Sequence, residues 1–309
     1  MENVLIITWN MQGAGRDPLT QYCLLLDKMQ EYAKLYMTKY KMCFVQECGS
    51  PEALAQSMPK GDRAKVFLDE VDSIVDDLYI LKHYALNDGR SGNLKVYDFY
   101  AVWRLGDAAK RCGTGIILPA GMAGEKPVIL NSYIEAQTAE EEEDVADELV
   151  LGEGEAALSS GVIKQTKHPR PILGVNINDV WFCTMHAIAN RNAAKKQLPQ
   201  CLKILNDELD GDFIFGGDFN CVRTELAEFF KRMRDDAYSD ICKSVSIYGC
   251  GLKTQGAGPN RNSELDYFLS SLNFTAAPPV SKISVCEKVG RGEVYAYSDH
   301  DMVCACFTF

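Results

Sequence analysis

The apolar residues of this chain keep two rhythms. Val4-Leu5-Ile6-Ile7 is a continuous apolar run, and residues 4–10 read as a buried strand ending on Thr8-Trp9-Asn10. Over residues 20–40 the spacing changes to three and four: Tyr22, Leu25, Leu26, Met29, Tyr32, Ala33, Tyr36 and Tyr40 predict an amphipathic helix packed on a sheet. Residues 43–47 read as the next strand. Ser50-Pro51-Glu52 then supplies an N-cap serine and a proline at the first helical position. Between residues 60 and 112 the pattern is weak, except where Tyr97, Phe99, Ala101 and Trp103 alternate as in a strand. Residues 115–118 predict another strand.

From about residue 121 to 167 glycine and acidic residues accumulate and periodicity is lost, which predicts a surface insertion. Regularity returns at Arg170. Residues 172–177 and 180–187 flank Asn178-Asp179, a two-residue hairpin turn. Leu198, Cys201, Leu202, Leu205 and Leu209 mark a second helix with Pro199 near its first turn. Residues 213–215 form a strand running into Gly216-Gly217-Asp218, and Leu226, Phe229, Phe230 and Met233 mark a third helix. Residues 265–269 and 302–309 are late strands. Hairpins outnumber βαβ patterns, and neither a linker nor a fixed-period repeat divides the chain. The expectation is one α/β domain over residues 1–309: two packed mixed, mostly antiparallel sheets with helices outside, and a surface insertion around 121–167.

Composition narrows this picture. The chain has 309 residues, 47% of them hydrophobic, enough for a large core. No stretch approaches the ~20 apolar residues of a membrane span. No basic segment with a signal-like apolar run precedes the first strand, so the expectation is a cytoplasmic protein or the mature form of a secreted effector. The twelve cysteines are scattered, several within apolar runs, and none makes a C-x-x-C pair. That argues for buried free thiols and against a zinc knuckle or disulfide framework. A net charge of −11 argues against a broad basic nucleic-acid footprint. Part of that charge is the run Glu140-Glu141-Glu142-Glu143-Asp144, which reads as a solvated face.

The candidate chemistry lies at strand ends. Asn10 offers a hard, neutral amide oxygen suited to the edge of a Mg²⁺ site, or simply caps its strand. Glu47, closing an apolar run, must be paired, exposed or bound to a cation. His186 and His300 are two of only four histidines, and both follow strands or adjoin them. In Gly216-Gly217-Asp218-Phe219-Asn220 the glycines would let the backbone approach a ligand. Asp218 and Asn220, two apart, would project to one side to orient water and meet a phosphate oxygen. Asp266, inside an apolar strand, needs a partner, and a histidine held in one tautomer would serve. Asp299 stands beside His300. Arg111 is either a phosphate clamp or a surface cation.

Taken in order, Trp9-Asn10, Gln46-Glu47, His186, Gly217-Asp218-Phe219-Asn220, Leu265-Asp266-Tyr267 and Ser298-Asp299-His300 resemble the endonuclease/exonuclease/phosphatase superfamily, which includes deoxyribonuclease I. Within it the chain is similar to the catalytic B subunit of cytolethal distending toxins. The matching stretches are Thr8-Trp9-Asn10-Met11-Gln12-Gly13, Val45-Gln46-Glu47-Cys48-Gly49-Ser50, Arg170-Pro171-Ile172-Leu173-Gly174-Val175, His186-Ala187-Ile188-Ala189 and Ser298-Asp299-His300. The resemblance implies a four-layered α/β sandwich and metal-dependent cleavage of phosphodiesters. It implies Glu47 as principal ligand for Mg²⁺ or Mn²⁺, with Asn10 and Asp299 close by. His186 and His300 would be the acid/base pair, His300 oriented by Asp266. Asp218 and Asn220 would position water and phosphate, and Arg111 would contact phosphate.

The function expected is therefore a DNA endonuclease of low sequence specificity, with DNA as substrate and toxin-type delivery subunits as further partners. A phosphomonoesterase acting on phosphoinositides or another small phosphate, and a non-catalytic binding module of the same fold, are the alternatives.

Overall fold

The structure, a computed structural model, describes residues 3–12, 18–49, 68–75, 78–86, 96–105, 113–132, 170–234, 237–255, 263–274, 276–289, 293–296 and 298–308. The strands of the first half are β1 (Asn3–Asn10), β2 (Tyr40–Gln46), β3 (Leu68–Val75), β4 (Tyr79–Leu86), β5 (Tyr97–Arg104), β6 (Thr114–Pro119) and β7 (Val128–Ser132). The second half contributes β8 (Arg170–Ile177), β9 (Val180–His186), β10 (Asp212–Asp218), β11 (Ser246–Tyr248) and β12 (Asp266–Ser270). It closes with β13 (Val280–Ile283), β14 (Cys286–Val289), β15 (Glu293–Ala296) and β16 (Met302–Thr308). The helices are α1 (Pro18–Leu35), α2 (Arg191–Glu208), α3 (Arg223–Arg232) and α4 (Ser239–Ser244).

Two mixed, mostly antiparallel sheets form the centre. One runs β13-β16-β1-β2-β6-β5-β4-β3 and the other β11-β12-β10-β9-β8-β7; β14 and β15 make a separate hairpin. Strand alternation assigns each face. Val4 and Ile6 of β1, Met42 and Phe44 of β2, Val180 and Phe182 of β9, Ile214 of β10 and Phe268 of β12 fill the space between the sheets. The opposite faces pack outward. Leu5, Ile7, Cys43 and Val45 meet Tyr22, Leu25, Leu26 and Met29 of α1. On the other side Cys183, Met185, Phe213 and Phe215 meet Leu198, Cys201, Leu202 and Leu205 of α2. The result is helix, sheet, sheet, helix. Each fully buried aliphatic or aromatic side chain in these layers contributes about 1.5–3 kcal/mol.

Several boundaries differ from the sequence pattern, each for a physical reason. The aromatic spacing runs on to Tyr40, but α1 stops at Leu35 and Met37 adopts a left-handed backbone (φ 51°), so Tyr40 opens β2 instead. Pro199 is not in the first turn of α2. The helix begins at Arg191, where the Asn190 side chain accepts the amides of Asn192 and Ala193, and the proline costs one interior hydrogen bond. Asn178 and Asp179 have φ of 53° and 64°, as a tight hairpin turn requires. The stretch expected to be irregular from residue 121 opens with β7, paired to β8 from Val128↔Gly174 to Ser132↔Arg170. Residues 133–169, the Ser50-Pro51-Glu52 helix start and Arg111 lie outside the described residues.

Ten cysteines among the described residues are free thiols, eight of them buried, as expected of apolar-run cysteines. Among those residues, no helix is long and apolar enough to cross a membrane. Gly216 serves packing rather than approach to a ligand. A Cβ there would lie 2.6 Å from the ring of Phe268 and 2.9 Å from that of Phe44. Gly216→Ala is expected to lower stability by about 1–3 kcal/mol through overpacking, read from urea unfolding; an unchanged midpoint would show that both rings move aside freely.

Candidate active site

The inter-sheet face changes character at one end. After the apolar positions, β1 continues with Thr8 and Asn10, β2 with Gln46, and β9 with Thr184 and His186; β10 ends on Asp218 and β12 begins on Asp266. Pairing lines these residues up. Asp218 stands opposite His186 on β9 and opposite Asp266 on β12, and Asn10 stands opposite Gln46. The same alternation that fills the core with Phe and Val thus delivers a polar row at its edge.

Asp218 is the hub. It is 1% exposed, yet its Oδ2 accepts from Asn10 Nδ2 at 2.9 Å and lies 3.6 Å from Nε2 of both His186 and His300. Its Oδ1 accepts the amide of Asn220 at 2.9 Å. Asn10 Nδ2 also donates to Glu47 Oε1 at 3.3 Å, while Asn10 Oδ1 accepts the amide of Gln12 at 2.9 Å. The Asn10 amide therefore turns its nitrogen toward both carboxylates. Glu47 Oε1 is 3.8 Å from His186 Nε2. Asn10, Glu47, His186, Asp218, Asp266 and His300 accordingly meet in one place, drawn from both sheets.

His300 is held on every side. Its Nδ1 pairs with Asp266 Oδ2 at 2.9 Å. Its amide donates to Ser298 Oγ at 3.1 Å, and its carbonyl accepts from Trp9 Nε1 at 3.0 Å. Ser298 Oγ in turn donates to the Asn10 carbonyl at 2.7 Å, and the Asp266 amide donates to Thr254 Oγ1 at 3.2 Å. Asp299 lies at the rim, with Oδ1 3.9 Å from His300 Nε2 and a side chain 25% exposed. Asn220 does not share the side of Asp218. Its backbone turns left-handed (φ 48°) and its side-chain Nδ2 donates to the Ala187 carbonyl at 2.9 Å.

The two histidines have opposite electrostatics. Burial, the Arg170 charge and His300 together push His186 down to about 3, only partly offset by Asp218, and its buried Nδ1 has no hydrogen-bond partner among the described residues. Burial also opposes charge on His300, but Asp266, Asp218 and the Asp266 hydrogen bond outweigh it and raise the group to about 10. Glu47 is raised, mainly by burial and further by Asp218, against the Asn10 hydrogen bond.

Asp218, Asp266 and His300 place ligand atoms within 4.8 Å of one another. Within the trio Asp266 Oδ2 is hydrogen-bonded to His300 Nδ1 at 2.9 Å, while His300 Nε2 stands 3.6 Å from Asp218 Oδ2. Glu47, 26% exposed, and Asp299, 25% exposed, are the partly exposed carboxylates of the cluster.

Four supporting residues escaped the sequence reading. Ser298 and Trp9 lie inside quoted motifs, but their role as struts depends on tertiary contacts. Thr254 carries no sequence signal. Arg170, first residue of β8, lowers both Glu47 and His186, so it lies in the electrostatic reach of the site; its place at the head of a matched stretch was the only hint.

No family model matches the sequence, and no curated protein matches it. Solved structures do. CdtB, the biologically active subunit of cytolethal distending toxin, matches with a TM-score of 0.59 at 18% identity over 97% of this chain and 96% of that one. A humanised D. rerio TDP2 matches at 0.51 and 18% identity over 99% of each chain. An endonuclease/exonuclease/phosphatase family protein from Bacteroides thetaiotaomicron matches at 0.52 and 13% identity over 98% and 97%. The fold is the deoxyribonuclease I-like α/β sandwich.

The histidine environments set a pH dependence of stability. His300 is raised above its unfolded value of about 6.5, so its contribution is complete below about pH 6.5 and is lost as pH rises toward about 10. His186 is depressed, so its effect runs the other way: stability is lost as pH falls from about 6.5 toward about 3. Each limb has a slope of at most about 1.4 kcal/mol per pH unit. Urea unfolding in EDTA across this range is expected to show both limbs, with His300→Gln flattening the alkaline one and His186→Gln the acid one. A wild-type curve level from about pH 7 to 9 would show that His300 is not held charged.

Proposed function

We propose that this chain is a metal-dependent phosphodiesterase that cuts DNA with little sequence preference. One observation carries the reading: two histidines pushed in opposite directions converge on a single buried carboxylate, 3.6 Å from each. Acid and base in one site need such a split. The fold and the ordered motifs agree with it.

The residues fit a divalent cation. Four carboxylates, Glu47, Asp218, Asp266 and Asp299, surround one charged histidine, and burial together with Asp218 raises Glu47. That is surplus negative charge offered as hard oxygen, which suits Mg²⁺ or Mn²⁺. Glu47 and Asp299 would hold the ion, with Asn10 fixing the carboxylates beside it. When bound, the ion supplies Lewis-acid stabilisation of the phosphate and leaving oxygens.

The chain's own groups do the rest. Asp218, braced by the Asn220 amide, orients the attacking water. The water oxygen bonds to phosphorus as the ester P–O bond breaks, and the water proton passes to neutral His186 Nε2, directly or through Asp218. His300, kept charged by Asp266, hydrogen-bonds through Nε2 to the leaving oxygen and gives it the proton it takes up as the P–O bond breaks. Arg170 supplies a phosphate-contacting cation, the role first expected of Arg111, which stays a candidate from sequence. Binding through phosphates carries little sequence information. Docking on toxin-type delivery subunits is the partner expectation that accompanies the resemblance.

The net charge of −11 favours a second reading, a phosphomonoesterase for a small phosphate such as a phosphoinositide, because it offers no long basic track. Supercoiled-plasmid nicking with Mg²⁺ or Mn²⁺, run beside phosphate release from inositol lipids, separates the two. Nicking that EDTA abolishes is expected, with His300→Ala and His186→Ala each slower by roughly two to four orders of magnitude. Lipid turnover without nicking would transfer the assignment to the second reading. Full activity in either variant would remove that histidine from the mechanism.

A further inference from the structure

One layer beneath the site lies a buried polar contact that the chemistry does not use. Gln46 Nε2 donates to Thr184 Oγ1 at 3.0 Å across the gap between the sheets, and to Thr8 Oγ1 at 3.3 Å on the neighbouring strand. Thr8 Oγ1 is also 3.4 Å from Gln46 Oε1. All three residues are 0% exposed. Each is next to or two residues before a site residue: Thr8 before Asn10, Gln46 before Glu47, Thr184 before His186.

Glu47 needs such an anchor. Strand alternation would place its side chain with Val45, on the face that packs against α1. Instead its backbone turns left-handed, φ 48°, and the carboxylate swings back to Asn10 and His186. A non-glycine residue in that region is strained and persists only where its surroundings impose it. Downstream, the imposition is visible. The Cys48 amide donates to the Gly113 carbonyl at 3.1 Å, Tyr22 Oη donates to the Cys48 carbonyl at 3.1 Å, and Trp103 Nε1 donates to the Gly49 carbonyl at 2.8 Å. Upstream, the Gln46 carbonyl accepts the Met11 amide at 2.8 Å, and the Gln46 side chain is tied to the other sheet.

The geometry points to Gln46 and Thr184 as positioning residues that hold Glu47 in its turned-back conformation and so set the cation affinity of the site. The inference rests on Glu47 holding the cation, as read above. Removing the Thr184 hydroxyl strands a buried Gln46 N–H donor, and the amide must move to satisfy it. Movement there releases the residue that precedes Glu47. Groups supporting a ligand from behind change metal affinity or activity about 10–100-fold when lost.

The test uses the full chain as wild type, Thr184→Val, Thr184→Ser and Gln46→Met, all assayed well below their melting temperatures. Mn²⁺ binding is measured by calorimetry, nicking gives kcat and KM, and crystal structures of the metal-free proteins locate the Glu47 carboxylate. Thr184→Val and Gln46→Met are expected to weaken Mn²⁺ binding and lower kcat by about tenfold or more, with KM within about twofold, while Thr184→Ser stays near wild type. In the Thr184→Val crystal, Glu47 is expected to leave the left-handed region or lose contact with Asn10. Wild-type Mn²⁺ affinity in Thr184→Val, or an unmoved Glu47 in its crystal, would overturn the inference. A wild type that neither binds Mn²⁺ nor nicks DNA would sink the functional reading alone, and the Glu47 position in the variant crystals would still decide this one.

Discussion

Everything at the polar end of this fold depends on how the charge of Asp218 is accommodated. A carboxylate 1% exposed between two sheets is costly unless its neighbours compensate it. The compensation comes from both sheets. Asn10, on the first, donates directly; the Asn220 amide donates from the end of its own strand; His300 approaches from the segment leading into β16. Removing any of these leaves a buried charge short of a partner, so the two sheets cannot shift relative to each other at this end without exposing or stranding it. The hydrogen bonds that satisfy Asp218 are thus also what fixes the spacing of the site.

The same arrangement explains why two histidines of one chain behave differently. Both are buried, so burial alone would neutralise both. His300 has Asp266 on its far nitrogen, and that buried pair outweighs the burial. His186 has no partner on Nδ1 among the described residues and sees Arg170, so it stays neutral. The difference is set by what each ring meets besides Asp218: Asp266 on His300, and Arg170 and His300 near His186. In the proposed mechanism it gives the site a direction, with the proton acceptor on the β9 side and the proton donor on the β16 side.

Much of this was legible in the sequence, and the legible part follows one rule. Period-two alternation in β1, β2, β9, β10 and β12 names both the core residues and the polar residues that close each strand, so Asn10, His186, Asp218 and Asp266 follow from the pattern. Motif order then placed them in one site. What could not be read depends on other things. β3, β4 and β7 have weak alternation because they lie at or beside sheet edges, where one face or both meet solvent; Val71, Ile74 and Val75 of β3 are exposed. Ser298, Thr254 and Trp9 act through contacts across 288, 12 and 291 positions of chain, which no local pattern reports.

The alternation rule fails at Glu47 and at Asn220, and it fails in opposite directions. Extended backbone would send the Glu47 side chain to the α1 face; its left-handed turn brings the carboxylate into the cleft. Extended backbone would keep Asn220 beside Asp218; its left-handed turn takes the side chain out of that row and fastens it to the Ala187 carbonyl, just past His186. Gln12, a third left-handed residue, donates its amide to Asn10 and accepts the Asp299 amide on its side chain. Three of the six non-glycine left-handed residues among those described therefore sit at the ends of the strands that build the site. Strain concentrated in this way has a simple origin. A sheet presents side chains on only two faces, at fixed intervals, and a compact polar cluster needs more groups on one side than that spacing supplies. The additional group, Glu47, is obtained by bending the chain where β2 stops, and the surrounding loops are fastened so that the bend holds.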